Sequence, residues 1–180
     1  MSLLRELTAT TAVGAEAVAF RLLLAAVLGF VIGLDRELKN RPLGLRSFML
    51  VSIGAALFSL SAQEIVHLFD QEMIDPTRVV QGIIGGIGFL GAGAIIQARG
   101  SIIGGTTGAT TWLVGGIGMA CGFGLYLHAV LATLVAVFVL TVLGLAQRWL
   151  GTGSCEDEVP VEPAARGHHR TRTGGLGGDT

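Results

Sequence analysis

The run LYLHAVLATLVAVFVLTVLGL, Leu125 to Leu145, contains no Asp, Glu, Lys or Arg. Wound as an α-helix at 1.5 Å per residue it is about 31 Å long, the thickness of a bilayer's hydrocarbon core. Tyr126 and Trp149 bracket it, about 34 Å apart along a helix and close to the separation of the two aromatic belts of a membrane. This stretch sets the fold class, because four more apolar runs precede it: Ala17 to Leu34, Ser47 to Leu68, Val79 to Ile96 and Thr106 to Gly122. The last of these meets Leu125 through Gly122-Phe123-Gly124, where glycines supply a turn and split a stretch too long for one crossing.

The composition agrees with an all-α, multi-pass bundle of about five spans. Of 180 residues 51% are apolar and 14% charged, and 28 are glycine, unlike a soluble globular domain. A net charge of −1 and a pI near 6.4 leave no basic footprint for nucleic acid. Cys121 and Cys155 make neither a disulfide framework nor a metal spacing. No cleavage site follows a short apolar core near the N-terminus, so the first run is expected to stay as a helix. Residues 1–150 read as the membrane domain. Gly151 to Thr180, rich in Gly, Pro and clustered charge, reads as a disordered cytoplasmic tail.

Loop charges give an orientation. Arg36, Lys39, Arg41 and Arg46 follow span 1, Arg99 follows span 3 and Arg148 follows span 5, whereas Asp70, Glu72 and Asp75 lie between spans 2 and 3. The positive-inside rule then places the N-terminus outside and the C-terminus inside. Asp75-Pro76 marks the start of span 3, as N-cap and first helical residue.

Gly86-Ile87-Gly88-Phe89-Leu90-Gly91 spells a dinucleotide fingerprint, but it lies inside an apolar span with no soluble strand before it. Packing is the better reading, for Gly29 with Gly33, Gly82 with Gly86, Gly118 with Gly122, and Gly100, Gly104 and Gly108 all stand four apart. Gly82, Gly86, Gly88, Gly91 and Gly93 are the expected packing face of span 3. Gly85-Gly86-Ile87-Gly88 recurs as Gly115-Gly116-Ile117-Gly118 in a span of opposite direction, which hints at an inverted pair.

Two polar groups are candidate sites. At the inner end stand Asp35, Arg36, Glu37, Arg46, Thr106, Thr107 and Thr110, with Thr111 nearby; the plain alternative is a solvated rim in which Glu37 pairs with Arg41 at i,i+4. At the outer end Ser59, Ser61, Gln63 and Glu64 face Arg78 and Gln81, and a buried Glu64 would need a partner such as Arg78. Arg21, a turn inside span 1, reads as an anchor that snorkels outward, and His67 and His128 as interfacial residues. Asp35 and Glu37, or Asp70, Glu72 and Asp75, could offer oxygens to Mg2+ without any spacing that demands a metal. No paired intramembrane aspartates, Ser/His pair or HExxH is present, so neither an enzyme nor a cofactor is expected.

Taken together, Gly33-Leu34-Asp35-Arg36-Glu37, Gly44-Leu45-Arg46-Ser47, Leu50-Val51 with Gly54 and Ala56-Leu57-Phe58, Asp75-Pro76-Thr77-Arg78, Gln81 with Gly86 to Gly93, and Gly105-Thr106-Thr107 with Ala109-Thr110 and Trp112 resemble the MgtC/SapB family. The resemblance implies a multi-pass protein of the bacterial cytoplasmic membrane, connected with growth under magnesium limitation and, in pathogens, with survival in host cells. It implies regulation of other membrane proteins, the F-type ATP synthase among them, rather than an established reaction. The expected partners are the bilayer, other membrane proteins or a second copy, and Mg2+. A transporter of magnesium, another ion or a small solute is the alternative, and a purely structural oligomer the third.

Overall fold

The computed structural model describes residues 13–39, 41, 43–69, 75, 77–98 and 101–149. The expected tail, Asp70, Glu72 and Gly100 lie outside them. Five helices form where the apolar runs predict: α1 (Ala15–Leu38), α2 (Leu45–Leu68), α3 (Thr77–Gly93), α4 (Gly105–Gly122) and α5 (Tyr126–Phe138). A π-helical turn, Val139–Leu143, carries α5 on into the short α6 (Gly144–Trp149). Three of these are long and apolar enough to cross a membrane: α1, α2 and the continuous helix Tyr126–Ala146.

A helix rich in glycine and threonine occupies the middle. Helix α4 packs against α1, α2, α3 and α5, and Val114, Ile117 and Cys121 join Ala25, Leu28 and Ile32 of α1, Phe48 and Ala56 of α2, and Ala129 and Ala136 of α5 in one core. Outside it, large apolar side chains such as Leu23, Phe89, Leu127 and Phe138 are exposed, the inverse of a soluble protein's surface and the pattern expected against lipid.

Small residues allow this crowding. A methyl group at Gly118 would lie 2.1 Å from the Ser52 carbonyl oxygen and one at Gly122 2.5 Å from that of Ala56, so α4 meets α2 backbone to backbone. Gly29 and Gly33 bring α1 equally close to Phe48 and Leu45 of α2. Ser52, Ser59, Thr110, Thr111 and Thr133 each donate a hydroxyl hydrogen bond to a helix carbonyl at 2.7–2.9 Å, which satisfies them in an apolar bundle.

The third apolar run leaves the helix before it ends. Span 3 was drawn to Ile96, but α3 ends at Gly93 and Ile96 begins a short antiparallel hairpin, β1 (Ile96–Ala98) with β2 (Ser101–Ile103). The apolar run continues past the helix because Ala94, Ile95 and Ile96, which lead into the hairpin, are apolar too. It closes at Gly104, whose φ of +88° is open to glycine at little cost and where a methyl group would lie 2.1 Å from the Ala94 carbonyl oxygen. At the other end α3 is described from Thr77, and Pro76, the expected first helical residue, lies outside the described residues. The Asp75 carboxylate accepts the Thr77 N–H at 2.9 Å and its hydroxyl at 2.6 Å; these bonds, followed by the Arg78 charge, hold the carboxyl below its usual range.

Candidate functional site

Two arginines of α1 grip the two ends of α4. Arg21 and Arg36 are fifteen residues apart, as are Thr107 and Gly122, so antiparallel helices rising equally bring both pairs into register over about 22 Å.

At one end, Arg21 donates from Nη1 to the Gly122 carbonyl at 2.9 Å and to Gln63 Oε1 at 3.1 Å, and from Nε to the Tyr126 hydroxyl at 3.2 Å. Gln63 Nε2 donates to the same Gly122 carbonyl at 2.7 Å. The Phe20 ring meets Tyr126 edge-on at 5.4 Å, and the turn into α5 passes over the guanidinium at Gly124, φ +78°. Arg21 is therefore no outward-pointing anchor: an unsatisfied helix carbonyl and the negative end of the α4 dipole draw it inward.

At the other end Arg36 is 3% exposed, and its Nη2 donates to Thr107 Oγ1. A glycine N-cap with no side-chain hydrogen bond opens α4 there. Of the expected inner cluster, the fold brings Arg36 and Thr107 together and disperses the rest. Thr110 is buried and bonded to the Thr106 carbonyl, while Thr106 and Arg46 are exposed. The Glu37 carboxylate accepts the Leu45 N–H at 3.1 Å, so it caps the start of α2, where a carboxylate is favoured by free N–H groups. Asp35 instead holds Lys39 at 2.7 Å.

The outer group is dispersed as well. Glu64 is half-buried and accepts the Val13 N–H at 3.1 Å, while Arg78 and Gln81 are exposed on α3. Ser61 lines an apolar groove rather than a polar cavity, and His67 and His128 are exposed. Among the described residues, no three His, Cys, Asp or Glu side chains converge to hold a metal.

That groove, about 750 Å³, runs between α2 and α3. Leu50, Gly54, Phe58 and Ile65 form one wall and Val79, Gly82, Gly86 and Leu90 the other, over a floor of Ala55, Ile83 and Ile87. Of the five glycines assigned to the packing face of α3, Gly91 meets Gly108 of α4, with 3.0 Å left for a methyl group before its carbonyl oxygen. A methyl at Gly82, Gly86, Gly88 or Gly93 would meet nothing within 4 Å. Helix α3 leans on α4 through Ile83 and Ile87 and turns those glycines away. The suggested inverted pair is not matched in contacts either: Ile87 sits on Gly115, but its counterpart Gly85 has open space where Ile117 would have to sit.

Residues 22–149 match the MgtC family. The chain belongs to that family. Protein SapB of Bacillus subtilis is 33% identical over 139 residues, 75% of this chain and 60% of SapB. YhiD of Escherichia coli K12, provisionally named a magnesium transporter, is 34% identical over 68% of this chain and 58% of its own length. Protein MgtC of Salmonella typhimurium LT2 is 40% identical over 114 residues, 63% of this chain and 47% of MgtC. This MgtC-family chain thus spans about half to three-fifths of the length of these relatives. No solved structure matches it. The family and the apolar helices together make it an integral protein of the bacterial cytoplasmic membrane.

Sequence reasoning passed over Arg21, read as a snorkelling anchor, and Lys39, counted only as a loop charge. Both act through backbone carbonyls of distant helices, Gly122 and Leu140, which no side-chain pattern encodes. The depth of Arg21 within an apolar run was the available signal, since such a charge seeks a partner.

Proposed function

We propose that this protein is a non-enzymatic regulator in bacterial magnesium homeostasis, which acts by receiving a transmembrane helix of another membrane protein in the groove between α2 and α3. The observation that carries the reading is the groove itself. Ser61 apart, its lining is apolar, with glycine on both walls, and in lipid small residues let a second backbone approach closely. The family relationship and the name carried by YhiD support the magnesium link. The end with Arg36, Lys39 and Arg46 is placed on the cytoplasmic side by the positive-inside rule.

The fold supplies a clean test. A methyl group at Gly82 or Gly86 would meet nothing within 4 Å, so leucine there would project into the groove that both residues line. A photo-crosslinking residue at Phe58 is expected to capture a membrane protein in cells, and Gly82→Leu and Gly86→Leu to abolish the adduct with the thermal unfolding temperature unchanged. Adducts that persist in the leucine variants would overturn the reading, and adducts with a second copy alone would favour the structural oligomer.

Transport is the second reading, favoured by the polar groups buried along the α1, α2 and α4 contacts: Arg36, Thr107, Thr111 and Ser52. It requires tracer magnesium flux into proteoliposomes above that of empty vesicles, lost in Asp35→Asn or Glu64→Gln. The regulator reading expects flux equal to empty vesicles.

A further inference from the structure

Eleven of the twelve basic side chains are arginine; Lys39 is the chain's one lysine. It follows the last turn of α1, and its ammonium is held by oxygen. Nζ lies 2.7 Å from Asp35 Oδ1, 2.9 Å from Asp35 Oδ2 and 2.9 Å from the carbonyl oxygen of Leu140. Thr141 Oγ1 stands 3.4 Å from Asp35 Oδ1. Leu140 and Thr141 belong to the π-helical turn, a local departure from the i→i+4 register that is frequent at functional sites.

A carboxylate, a backbone carbonyl and a hydroxyl are the donors that hard cations take, and Mg2+ in particular binds through one or two carboxylates while keeping several waters. An ammonium is a compact point charge that can stand where such an ion would; the planar fork of arginine cannot. The lysine side chain is 30% exposed and the carboxylate 15%, so the ammonium has a way out to solvent while the oxygens stay in place.

We propose that Asp35, the Leu140 carbonyl and the Thr141 hydroxyl form a binding site for a hydrated hard divalent cation, and that Lys39 is its tethered competitor. When such an ion is abundant it displaces the ammonium, and when it is scarce Lys39 closes the junction between α1 and the π-turn. This site lies between α1 and α5, away from the groove between α2 and α3, and neither proposal rests on the other.

The test uses the full chain in detergent. An amine-acylating reagent followed by peptide mass spectrometry reads the freedom of Lys39 without interference from another lysine. Magnesium chloride is expected to accelerate acylation of Lys39 about tenfold over sodium chloride of equal ionic strength, on the order of one charge-assisted hydrogen bond released. In Asp35→Asn the amine is expected to react fast in both salts. Equal rates in the two salts for the native chain would mean simple screening and overturn the proposal. Separately, Lys39→Gln is expected to take up one Mn2+, read by loss of the free-ion electron spin resonance signal, that Asp35→Asn/Lys39→Gln does not. Equal uptake by the two variants overturns it as well.

Discussion

The variant Gly118→Ala is expected to lose the native bundle, whereas Gly116→Ala, the same substitution two residues earlier, leaves it intact or slightly more stable. At Gly118 the new methyl would stand 2.1 Å from the Ser52 carbonyl oxygen and 2.8 Å from its Cα. These are backbone atoms of another helix, so no rotamer change relieves the clash. Overpacking a tight core ordinarily costs about 1–3 kcal/mol, and parting α2 from α4 also loosens the contacts at Gly122, so about 3 kcal/mol or more is expected. At Gly116 a methyl meets nothing within 4 Å, and alanine gains about 0.8–1.0 kcal/mol of helix propensity over glycine. Thermal unfolding of the purified variants in detergent checks the contrast; equal midpoints would show that the two helices do not approach as described.

Arg21→Met is the second large effect. Methionine keeps the length and apolar bulk of the stem but removes the donors to Gly122, Gln63 and Tyr126. The Gly122 carbonyl keeps the Gln63 amide, so one acceptor is only half deprived. Interhelical hydrogen bonds in membranes average about 0.6 kcal/mol and reach about 1.7; with the loss of a cation at a helix C-terminus, about 2–4 kcal/mol is expected. For a chain of this size that lowers the unfolding midpoint by roughly 5–10 °C. Arg21→Lys is expected to recover less than half, because a single ammonium cannot span three acceptors set in a fork. A midpoint unchanged in Arg21→Met would return Arg21 to the role of a snorkelling anchor.

These two sites also show what the sequence could tell. Lengths of apolar chain predict all five helices, because bilayer thickness and helical rise leave little freedom. The glycine spacings identify small faces but not their neighbours: Gly29 with Gly33 and Gly118 with Gly122 are buried between helices, while Gly82 and Gly86, spaced identically, face outward. The difference is helix rotation, set by side chains such as Ile83 and Ile87 on the far side of α3 and by no pattern in the glycines. The charged residues were harder for another reason. Local spacing pairs Glu37 with Arg41, but the orphan N–H of Leu45, brought near by the turn at Gly44, takes the carboxylate. The inner cluster was legible as a place and not as an arrangement; Arg36 with Thr107 joins two of its side chains across seventy-one positions of sequence.

The centre of the bundle has a consequence for how the protein is made. Helix α4 is uncharged and eighteen residues long, yet its glycines and threonines keep it out of the set apolar enough to cross a membrane alone. Insertion machinery weighs a nascent segment by its own transfer energy, and on that scale α4 has little to draw it out of the translocation channel. Its stable place exists only once α1 and α2 are in the bilayer to receive it and the strongly apolar α5 has followed it out of the ribosome. Biogenesis and folding are thus a single event for this helix: a mutation that spoils its seat would be seen as a topology error in the newborn chain before it could be seen as a loss of stability in the finished one.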